Sequence, residues 1–380
     1  MERAELIKLV RATGCAEERG DYVFLRDPAL PACAGAVFSE QSKIEIPKSK
    51  IPVGWLCIAT GGTSGAGAKF ARHDEHTLTA AVRGFCAHFD LACVNAVDVL
   101  PAFHVSGLMA RVRCAATGGE HLPWEWKRLE AGEFPVLTRC ADGERWVISL
   151  VPTQLQRLLA VPAAVDWLRS FAIIFVGGGP TWPELAEAAA RAELRVSLSY
   201  GMTETAAMVA ALRPEEFLAG ARSSGAPLPH AGVTIAADAV VRVSGESIFH
   251  GYFPEWREAR EFSTEDIGWL DGRGHLHISG RRDAVIITGG KKVQPAEVEV
   301  ALRASGEFAE IAVIGVPDAE WGEAVVACFP AAENTPDLAR AVATLAPHER
   351  PKRFVPIPDW PRNAQGKVNR AALREAAMKA

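Results

Sequence analysis

The hydrophobic positions of this chain follow two patterns, and the change falls near residue 222. Before it, apolar runs typical of buried strands occur at residues 54–59, 147–150, 171–176 and 196–200. Helical patterns alternate with them over residues 77–88, 151–159 and 183–192. In the first of these helices one face carries Leu78, Ala81, Val82 and Phe85. This βαβα order predicts an α/β fold with a largely parallel sheet, whose ligands bind at the carboxyl ends of the strands.

The second pattern consists of short strand-like segments broken by Gly, Pro and Asp, at residues 233–236, 240–243, 269–270 and 276–279. They predict a small β-rich subdomain, which ends in a polar joint at residues 280–283. Beyond the joint we expect a helix over 295–303, strands over 311–316 and 325–329, a helix over 335–345 and a polar tail. At the other end, residues 1–50 predict a helix, polar loops and a short strand. The predicted domains are therefore residues 1–281, shortened at their start, and a small α+β domain over residues 282–380.

Composition and charge exclude several classes of protein. With 41 Lys and Arg against 46 Asp and Glu, the formal net charge of −5 argues against a nucleic-acid partner and against a polybasic membrane binder. No apolar run reaches the roughly 18 residues needed to span a bilayer, and the first residues lack the plan of a signal peptide. The 8 cysteines never form Cys-x-x-Cys, which favours reduced thiols in a cytoplasmic protein over disulfides or a metal site.

A glycine-rich loop over residues 60–69 directly follows the first buried strand. Its glycines, hydroxyls and Lys69 are typical of a phosphate-binding loop, in which backbone N–H groups converge on an anion. It is not a Walker A loop, because Ala68 separates Gly67 from Lys69 and Phe70 replaces the Ser or Thr that holds Mg²⁺. A flexible surface loop without a ligand is the alternative.

Four further stretches favour a nucleotide site: Ser199-Tyr-Gly-Met-Thr-Glu-Thr205, Ser263-Thr-Glu-Asp-Ile-Gly-Trp-Leu-Asp271 followed by Ile278-Ser-Gly-Arg-Arg-Asp283, Ile287-Thr-Gly-Gly-Lys-Lys-Val-Gln-Pro-Ala-Glu297 and Pro361-Arg-Asn-Ala-Gln-Gly-Lys-Val-Asn-Arg370. With the glycine-rich loop, they resemble the adenylate-forming superfamily of acyl-CoA synthetases, luciferases and peptide-synthetase adenylation domains. The resemblance covers residues 54–380. Within the superfamily, four stretches are most similar to the o-succinylbenzoate–CoA ligases of menaquinone or phylloquinone synthesis: Ala59-Thr-Gly-Gly-Thr-Ser-Gly65, Phe103-His-Val-Ser-Gly107, Val151-Pro-Thr-Gln-Leu-Gln-Arg-Leu-Leu159 and Pro361-Arg-Asn-Ala-Gln-Gly-Lys367.

The resemblance implies a reaction in two halves. A carboxylate attacks the α-phosphate of ATP to give acyl-AMP and pyrophosphate, and the thiol of coenzyme A then attacks the activated acyl carbon. The first half brings two anions together, so it needs positive charge where they meet. Lys367 matches the catalytic lysine of the family, and Asp283 matches the hinge about which a mobile C-terminal domain rotates. The implied co-substrates and metal are ATP, coenzyme A and Mg²⁺.

The resemblance also implies a nucleotide site. Thr203 would bond the α-phosphate, Glu204 would hold Mg²⁺, Tyr200 would stack on adenine, and Asp266 and Arg281 would contact the ribose. The remaining nucleotide-binding positions that it implies are Thr60, Gly61, Gly62, Thr63, Ser64, Gly65, Lys69, Gly178 and Gly201. As single residues, most of these would be interpreted as ordinary surface or turn positions.

For the acyl group, the resemblance implies a smooth wall at Gly177 and Gly179, a gate at His104 near the carboxylate, and a contact with Met202. Ser106 and Arg113 lie seven positions apart, so they share a face if that stretch is helical. o-Succinylbenzoate carries a second carboxylate, which an arginine can bind through two hydrogen bonds. Arg113 is our candidate for this role, and Arg111 and Arg157 are the alternatives.

For coenzyme A, the resemblance implies close approach of the pantetheine arm at Gly289 and Gly290, with Lys291 near its phosphates. A solvated lysine pair at 291 and 292 is the competing interpretation. The expected partners are therefore a small carboxylic acid, ATP and coenzyme A, and a homodimer remains open.

The sequence departs from the family pattern in several places. Lys69 comes one residue late, Glu265 replaces the Gly of Thr-Gly-Asp, and His230 stands where Pro-Leu-Pro-Gly is common. Two alternatives to an o-succinylbenzoate–CoA ligase remain open. One is a ligase for another aryl or short-chain acid, and the other is a truncated AMP-binding protein without ligase activity.

Overall fold

The structure is a computed structural model that describes residues 1–29, 54–60, 69–138, 144–258, 260–331, 336–363 and 366–379. Within these ranges the chain forms mixed α/β architecture built on successive β-sheets, which confirms the predicted fold class. Positions 61–68 of the glycine-rich loop lie outside the described residues, so Gly61, Gly62, Thr63, Ser64 and Gly65 are not placed here. No helix in the described part of the chain is long and apolar enough to cross a membrane.

The first sheet contains the strands β1 Ala16–Arg19, β2 Tyr22–Leu25, β3 Leu56–Ala59 and β4 Phe70–His73, paired in that order. Sequence analysis predicted only one short strand before residue 50, whereas β1 and β2 form an antiparallel hairpin. β2 then pairs in parallel with β3, and β3 with β4 in antiparallel fashion. Helix α1 (Arg3–Arg11) buries Leu6 and Val10 in the hydrophobic cluster that also contains Trp55.

The central sheet has the strand order β11-β10-β9-β8-β7-β5-β6 within the described residues. Its parallel strands are β5 Cys93–Asp98, β6 His121–Pro123, β7 Glu144–Leu150, β8 Ile173–Val176 and β9 Val196–Met202. The antiparallel strands β10 Ala207–Ala211 and β11 Ala226–Pro227 extend one edge. β8 is buried along its length, as its Ile and Val content predicts for a strand covered on both faces. The predicted, largely parallel sheet is confirmed.

The helices that pack on this sheet are α2 Glu75–Phe89, α3 Val105–Thr117, α4 Trp126–Glu130, α5 Pro152–Leu159, α6 Pro162–Leu168, α7 Pro183–Arg191 and α8 Pro214–Leu218. The side chain of Asp74 caps α2 by accepting a hydrogen bond from the Thr77 amide. α5 to α8 each begin with proline, whose missing N–H is not needed in a first turn. The predicted apolar face of α2 is buried. Ser106 and Arg113 do share a helix, α3.

The β-rich subdomain is an antiparallel meander of β12 Ala231–Ile235, β13 Val240–Gly245, β14 Glu261–Leu270 and β15 Leu276–Arg281. β14 is much longer than the predicted strand at 269–270, because the motif that begins at Ser263 lies on it. Its register pairs Asp266 with Arg281 on β15. Two predicted nucleotide-binding residues are therefore brought together by strand pairing.

The last sheet contains β16 Ile286–Thr288, β17 Lys291–Val293, β18 Ala312–Asp318, β19 Gly322–Pro330 and β20 Arg353–Ile357. Helices α9 Pro295–Ala304, α10 Leu338–Ala341 and α11 Arg370–Lys379 accompany it. The helix predicted over 335–345 is thus only a short turn of helix. The predicted polar tail is wrong, because α11 buries Leu373 and Ala377 against this sheet. These two residues lie four positions apart, which gives a stripe too narrow to stand out in a polar segment.

Candidate active site

Lys367 lies against the glycine loop that follows β8. A Cβ placed on Gly178, whose φ is +74°, would lie 3.0 Å from Lys367 Nζ and 4.0 Å from the Val151 side chain. Burial lowers the pKa of Lys367 to about 8. The ammonium group therefore occupies the carboxyl edge of the central sheet, where the sequence predicted that ligands bind.

The loop that carries Lys367 is held by its own hydrogen bonds. The Lys367 amide donates to Asn363 Oδ1 at 3.0 Å, and the Asn363 amide donates to the Lys367 carbonyl at 2.8 Å. Arg362 donates to the Gly366 carbonyl at 2.8 Å and forms an ion pair with Glu310. A cavity of about 730 Å³ opens beside this loop, between Gly366 and the side chains of α5.

His104, the predicted gate, immediately precedes α3. Its Nε2 atom is buried and has no hydrogen-bond partner among the described residues. Burial, and then the charge of Lys367, lower the pKa of His104 to about 4. At neutral pH the ring is therefore uncharged, and it can offer a hydrogen bond close to Lys367 without repelling the ammonium group.

The turn after β9 holds Met202, Thr203 and Glu204 in a short 3₁₀ segment, Thr203–Thr205. A Cβ on Gly201 would lie 1.9 Å from the Ala207 carbonyl oxygen, so this position accepts only glycine without a shift of the backbone. Ala206 and Ala207 have φ values of +52° and +77°, which are strained for residues with a side chain. The surrounding structure therefore fixes an unfavourable turn at the predicted phosphate-binding residues.

His73 supports this turn, and sequence reasoning missed it. The side chain is fully buried, and its Nε2 donates to the Thr203 carbonyl at 2.7 Å. Its Nδ1 lies 3.1 Å from the Thr77 hydroxyl. Burial lowers the pKa of His73 to about 4, so the ring stays neutral and keeps both bonds at physiological pH. His73 thereby links the start of α2 to the backbone of Thr203.

Glu204 is positioned by Tyr252, a second residue that the motifs did not indicate. The Tyr252 hydroxyl donates to Glu204 Oε1 at 2.7 Å, and burial raises the pKa of Tyr252. Lys69 Nζ lies 5.4 Å from the centre of the Tyr252 ring. At the base of the glycine-rich loop, the Thr60 amide donates to the Lys69 carbonyl at 2.9 Å. Thr60, Lys69 and Glu204 are therefore near the same edge of the structure.

The residues around Glu204 decide whether Mg²⁺ could bind at this site. Among the described residues no group of three or more His, Cys, Asp or Glu could hold a metal by itself. Mg²⁺ is commonly bound by one or two carboxylates together with substrate phosphates and water. Glu204 gives one oxygen to Tyr252 and retains the other, so it fits this kind of shared site.

Asp266, Tyr200 and Arg281 form one cluster, as the motifs predicted. The Tyr200 hydroxyl donates to Asp266 Oδ2 at 2.6 Å, and Arg281 lies 3.5 Å from Asp266 Oδ1. Burial raises the pKa of Asp266. Arg281 also donates to both carboxylate oxygens of Asp283, at 2.8 and 2.7 Å, and these bonds raise the pKa of the guanidinium. The predicted hinge residue is thus bonded directly to a predicted ribose contact.

The acyl candidates lie on α3 and at the end of β8. A Cβ on Gly177 would lie 2.7 Å from the Ser199 hydroxyl, whereas one on Gly179 would have a neighbour only at 4.0 Å. Ser106 and Met202 are half-buried. Gly177 therefore packs closely on β9 and Gly179 has more space beside it, and the acyl wall at these glycines stays a prediction.

Arg113 is buried, which removes the interpretation of a surface arginine. Its guanidinium carbon lies 4.0 Å from the centre of the Phe85 ring, and burial lowers its pKa to about 10. No carboxylate among the described residues forms an ion pair with it. Of the alternatives, Arg157 is exposed and paired with Glu130. Arg111 donates to the Ala12 carbonyl at 3.5 Å and, like Arg113, has a buried Nε without a partner among the described residues. Both alternatives line the cavity beside the Lys367 loop.

The predicted coenzyme A contacts lie apart from this cluster. Gly289 and Gly290 form the two-residue turn between β16 and β17, with φ values of +54° and +73°. A Cβ on Gly289 would lie 2.9 Å from the Trp321 ring, and Lys291 is exposed. The group that contacts Gly178 is Lys367, not this hairpin.

Comparison with known sequences gives two family matches and a consistent set of relatives. The profile of AMP-binding enzymes matches residues 55–253, and the profile of the AMP-binding enzyme C-terminal domain matches residues 297–367. The 2-succinylbenzoate–CoA ligase of Listeria monocytogenes serotype 4b is 33% identical over 287 residues, which are 73% of this chain and 60% of the relative. The Bacillus licheniformis protein of the same name is 32% identical over 335 residues, 83% of this chain and 67% of the relative.

Solved structures agree with these matches. The o-succinylbenzoate CoA synthetase of Bacillus subtilis, in complex with its acyl-adenylate intermediate, superposes with a TM-score of 0.72 at 25% identity, covering 87% of this chain and 70% of that one. ATP-bound MatB from Rhodopseudomonas palustris gives a TM-score of 0.72 at 26% identity, covering 84% and 67%. The chain spans about 60% of the length of the Listeria relative.

Proposed function

Because the chain belongs to the family of AMP-binding enzymes, we propose that it is an ATP-dependent acid–CoA ligase that forms an acyl-adenylate and then a thioester. The observation that carries this proposal is the Lys367 ammonium group, seated against Gly178 with a pKa lowered to about 8. An enclosed cation without a counter-ion is costly, and two reacting anions would remove that cost.

In the proposed adenylation step, a carboxylate oxygen forms a bond to the α-phosphorus of ATP. The bond from the α-phosphorus to the oxygen that bridges the α- and β-phosphates breaks. The products are acyl-AMP and pyrophosphate. Lys367 places its charge between the two anions, and the Thr203 hydroxyl donates to an α-phosphate oxygen. His104 is neutral, its Nε2 has no hydrogen-bond partner in the described part of the chain, and it orients the carboxylate. Glu204 would hold Mg²⁺ together with the substrate phosphates, and the ion would supply charge neutralisation for the leaving pyrophosphate.

The nucleotide is proposed to bind between the turn after β9 and the β14–β15 pair. Asp266 accepts hydrogen bonds from the ribose hydroxyls, and Arg281 contacts the same sugar. Tyr200 is already fixed by its bond to Asp266, which holds its ring for stacking on adenine. The glycine-rich loop from Thr60 to Lys69 would bind the phosphates, and Gly178 and Gly201 give the nucleotide close access to the backbone.

The proposed acyl substrate is o-succinylbenzoate. Arg113 supports this choice, because it is a buried cation without a carboxylate partner among the described residues. His104 and Arg113 are nine positions apart at α3, so about 13–14 Å separates them along the helix axis. Nine positions are two and a half helical turns, which places these two residues on opposite sides of the helix, whereas Ser106 and Arg113, seven positions apart, share a face. Gly177, Gly179, Ser106 and Met202 would line the acyl site.

For thioester formation, we propose that residues 282–380 rotate about Asp283 and bring the Gly289–Gly290 turn to the acyl-adenylate. The glycines admit the pantetheine arm of coenzyme A, and Lys291 lies near its phosphates. The boundaries of this domain, a cytoplasmic location and a dimeric state all remain predictions.

The test is pyrophosphate release by the full chain with ATP, Mg²⁺ and a panel of carboxylic acids. We expect release that needs all three components and is fastest with o-succinylbenzoate. Much faster release with benzoate or a fatty acid would overturn the substrate. Tight AMP binding without release for any acid would overturn the ligase function.

A further inference from the structure

The part of the chain after β15 makes a second contact with the loop that receives Lys367. This loop joins β8 to α7 over residues 177–182, and its last residue is Trp182. The guanidinium carbon of Arg303, in the last turn of α9, lies 5.0 Å from the centre of the Trp182 ring. One short loop therefore meets Lys367 at Gly178 and Arg303 at its other end.

Both members of this contact are fixed by their surroundings. Trp182 packs against the hydrophobic cluster of the central sheet, which holds its ring in place. Arg303 donates to the Ile311 carbonyl at 2.8 Å, and this bond ties α9 to the residue before β18. Both residues are half-buried. The contact therefore joins two well-supported side chains from the two sides of the predicted hinge.

The surroundings of Arg303 strengthen a contact between a cation and an aromatic ring. Burial lowers the pKa of Arg303, and Glu299 and Glu310 oppose that shift. Each of these carboxylates forms its ion pair with a different arginine, Arg370 or Arg362. A ring attracts a cation more strongly when water is removed from the cation. The indole ring therefore compensates part of the cost of burying this charge.

Two consecutive residues connect Arg303 to the loop of Lys367. Ile311 accepts the hydrogen bond from Arg303, and its neighbour Glu310 forms the ion pair with Arg362. Arg362 in turn donates at 2.8 Å to the carbonyl of the residue before Lys367. A movement that separates Arg303 from the loop after β8 would therefore also withdraw Lys367 from it.

We propose that Arg303 is a positioning residue for adenylation, because its contact with Trp182 holds Lys367 in the site. The contact separates when the C-terminal domain rotates about Asp283 for thioester formation. This inference rests on the proposed function and names a residue pair that sets the balance between its two conformations. A contact made in only one of two conformations shifts their equilibrium by its own free energy. The Arg303–Trp182 contact therefore favours the arrangement for adenylation.

Chemical labelling of lysines in the full chain, without ligands, measures this equilibrium. Enclosure protects Lys367 from acetic anhydride, so its labelling rate reports the fraction of molecules that have released it. The exposed Lys379 is the internal standard. Arg303→Met should raise the labelling of Lys367 by about 3- to 30-fold, the range for a partly to fully desolvated cation over a ring. Arg128→Met removes a cation that lies 3.9 Å from the centre of the Trp124 ring before the hinge, and this matched control should leave the labelling unchanged.

The two half-reactions distinguish a positioning role from support of the fold. Arg303→Met should lower the single-turnover rate of adenylation relative to thioester formation from supplied acyl-AMP, whereas a loss of folded protein would lower both equally. Trp182→Leu should have the same effect, and the double variant should add nothing to either single one. Trp182→Phe keeps a ring and should restore most of the protection of Lys367. Equal losses in both half-reactions would overturn the inference.

The outcomes separate this inference from the proposed function. If the labelling of Lys367 rises in Arg303→Met but no acid supports pyrophosphate release, the ligase function fails and the contact between the domains stands. If o-succinylbenzoate supports release but Lys367 is labelled in Arg303→Met as in the wild type, this inference fails and the ligase function stands.

Discussion

The nucleotide end and the acyl end of the candidate site differ in how their polar groups are satisfied. Among the described residues, Glu204, Tyr200, Asp266 and Arg281 are each bonded to another side chain. At the acyl end, the buried His104 Nε2 and Arg113 Nε atoms have no partner among those residues. The first arrangement holds its geometry without a ligand. The second carries a desolvation cost that only a ligand can relieve, so the acyl end is where selectivity is expected to reside.

The largest effect is expected at Lys367, which lies between the nucleotide end and the acyl end of the candidate site. Replacement by alanine should lower the rate of pyrophosphate release by about 10³-fold, because the positive charge that Lys367 places between the carboxylate and the α-phosphate is lost. Lys379→Ala, an exposed lysine of α11, is the control and should leave the rate unchanged. Retention of more than a tenth of the wild-type rate would contradict this role.

Replacement of Arg113 should change catalytic efficiency and the free energy of unfolding in opposite directions. Arg113→Met removes the charge and keeps much of the volume, so kcat/KM for o-succinylbenzoate should fall about 100-fold. The free energy of unfolding should rise by about 1 kcal/mol, because an unpaired buried cation is gone. Kinetics and chemical denaturation check the two parts. A destabilised variant with unchanged kinetics would mean that Arg113 is structural.

The pH dependence tests the enclosure of the ammonium group. Lys367 has a pKa lowered to about 8, so it is charged below that pH and loses its charge above it. We expect kcat/KM to fall about tenfold for each pH unit above 8, and Lys367→Arg to remove that fall if it retains activity. A wild-type profile that stays flat to about pH 9.5 would contradict the enclosure.

Tyr252 gives the smallest effect, at the nucleotide end. Tyr252→Phe removes the hydrogen bond to Glu204 and should raise the Mg²⁺ concentration needed for half-maximal activity by about three- to tenfold. Tyr22→Phe is the matched control, since its hydroxyl contacts Arg72 instead. An unchanged Mg²⁺ requirement would show that Glu204 is positioned without Tyr252.

The sequence was most informative where short family motifs contain the residues of the candidate site. It brought Lys367 to the same site as Gly178, and Tyr200 to Asp266, across long separations in the chain. It missed His73 and Tyr252, because each lies outside the phrases and acts through a contact that only the folded chain creates. The spacing of Ser106 and Arg113 predicted a shared helix face, but whether that face is buried depends on how α3 packs against α2. The same limit applies to α11, whose contact with the last sheet rests on Leu373 and Ala377.

The most direct test of the central claim separates the two half-reactions of Lys367→Ala. Acyl-AMP and coenzyme A are supplied together, and thioester formation is followed in a single turnover. If Lys367 acts by placing charge between two anions, this rate should stay within about threefold of the wild type while adenylation is lost. Equal losses in both halves would show that the lysine supports the structure rather than the meeting of carboxylate and phosphate.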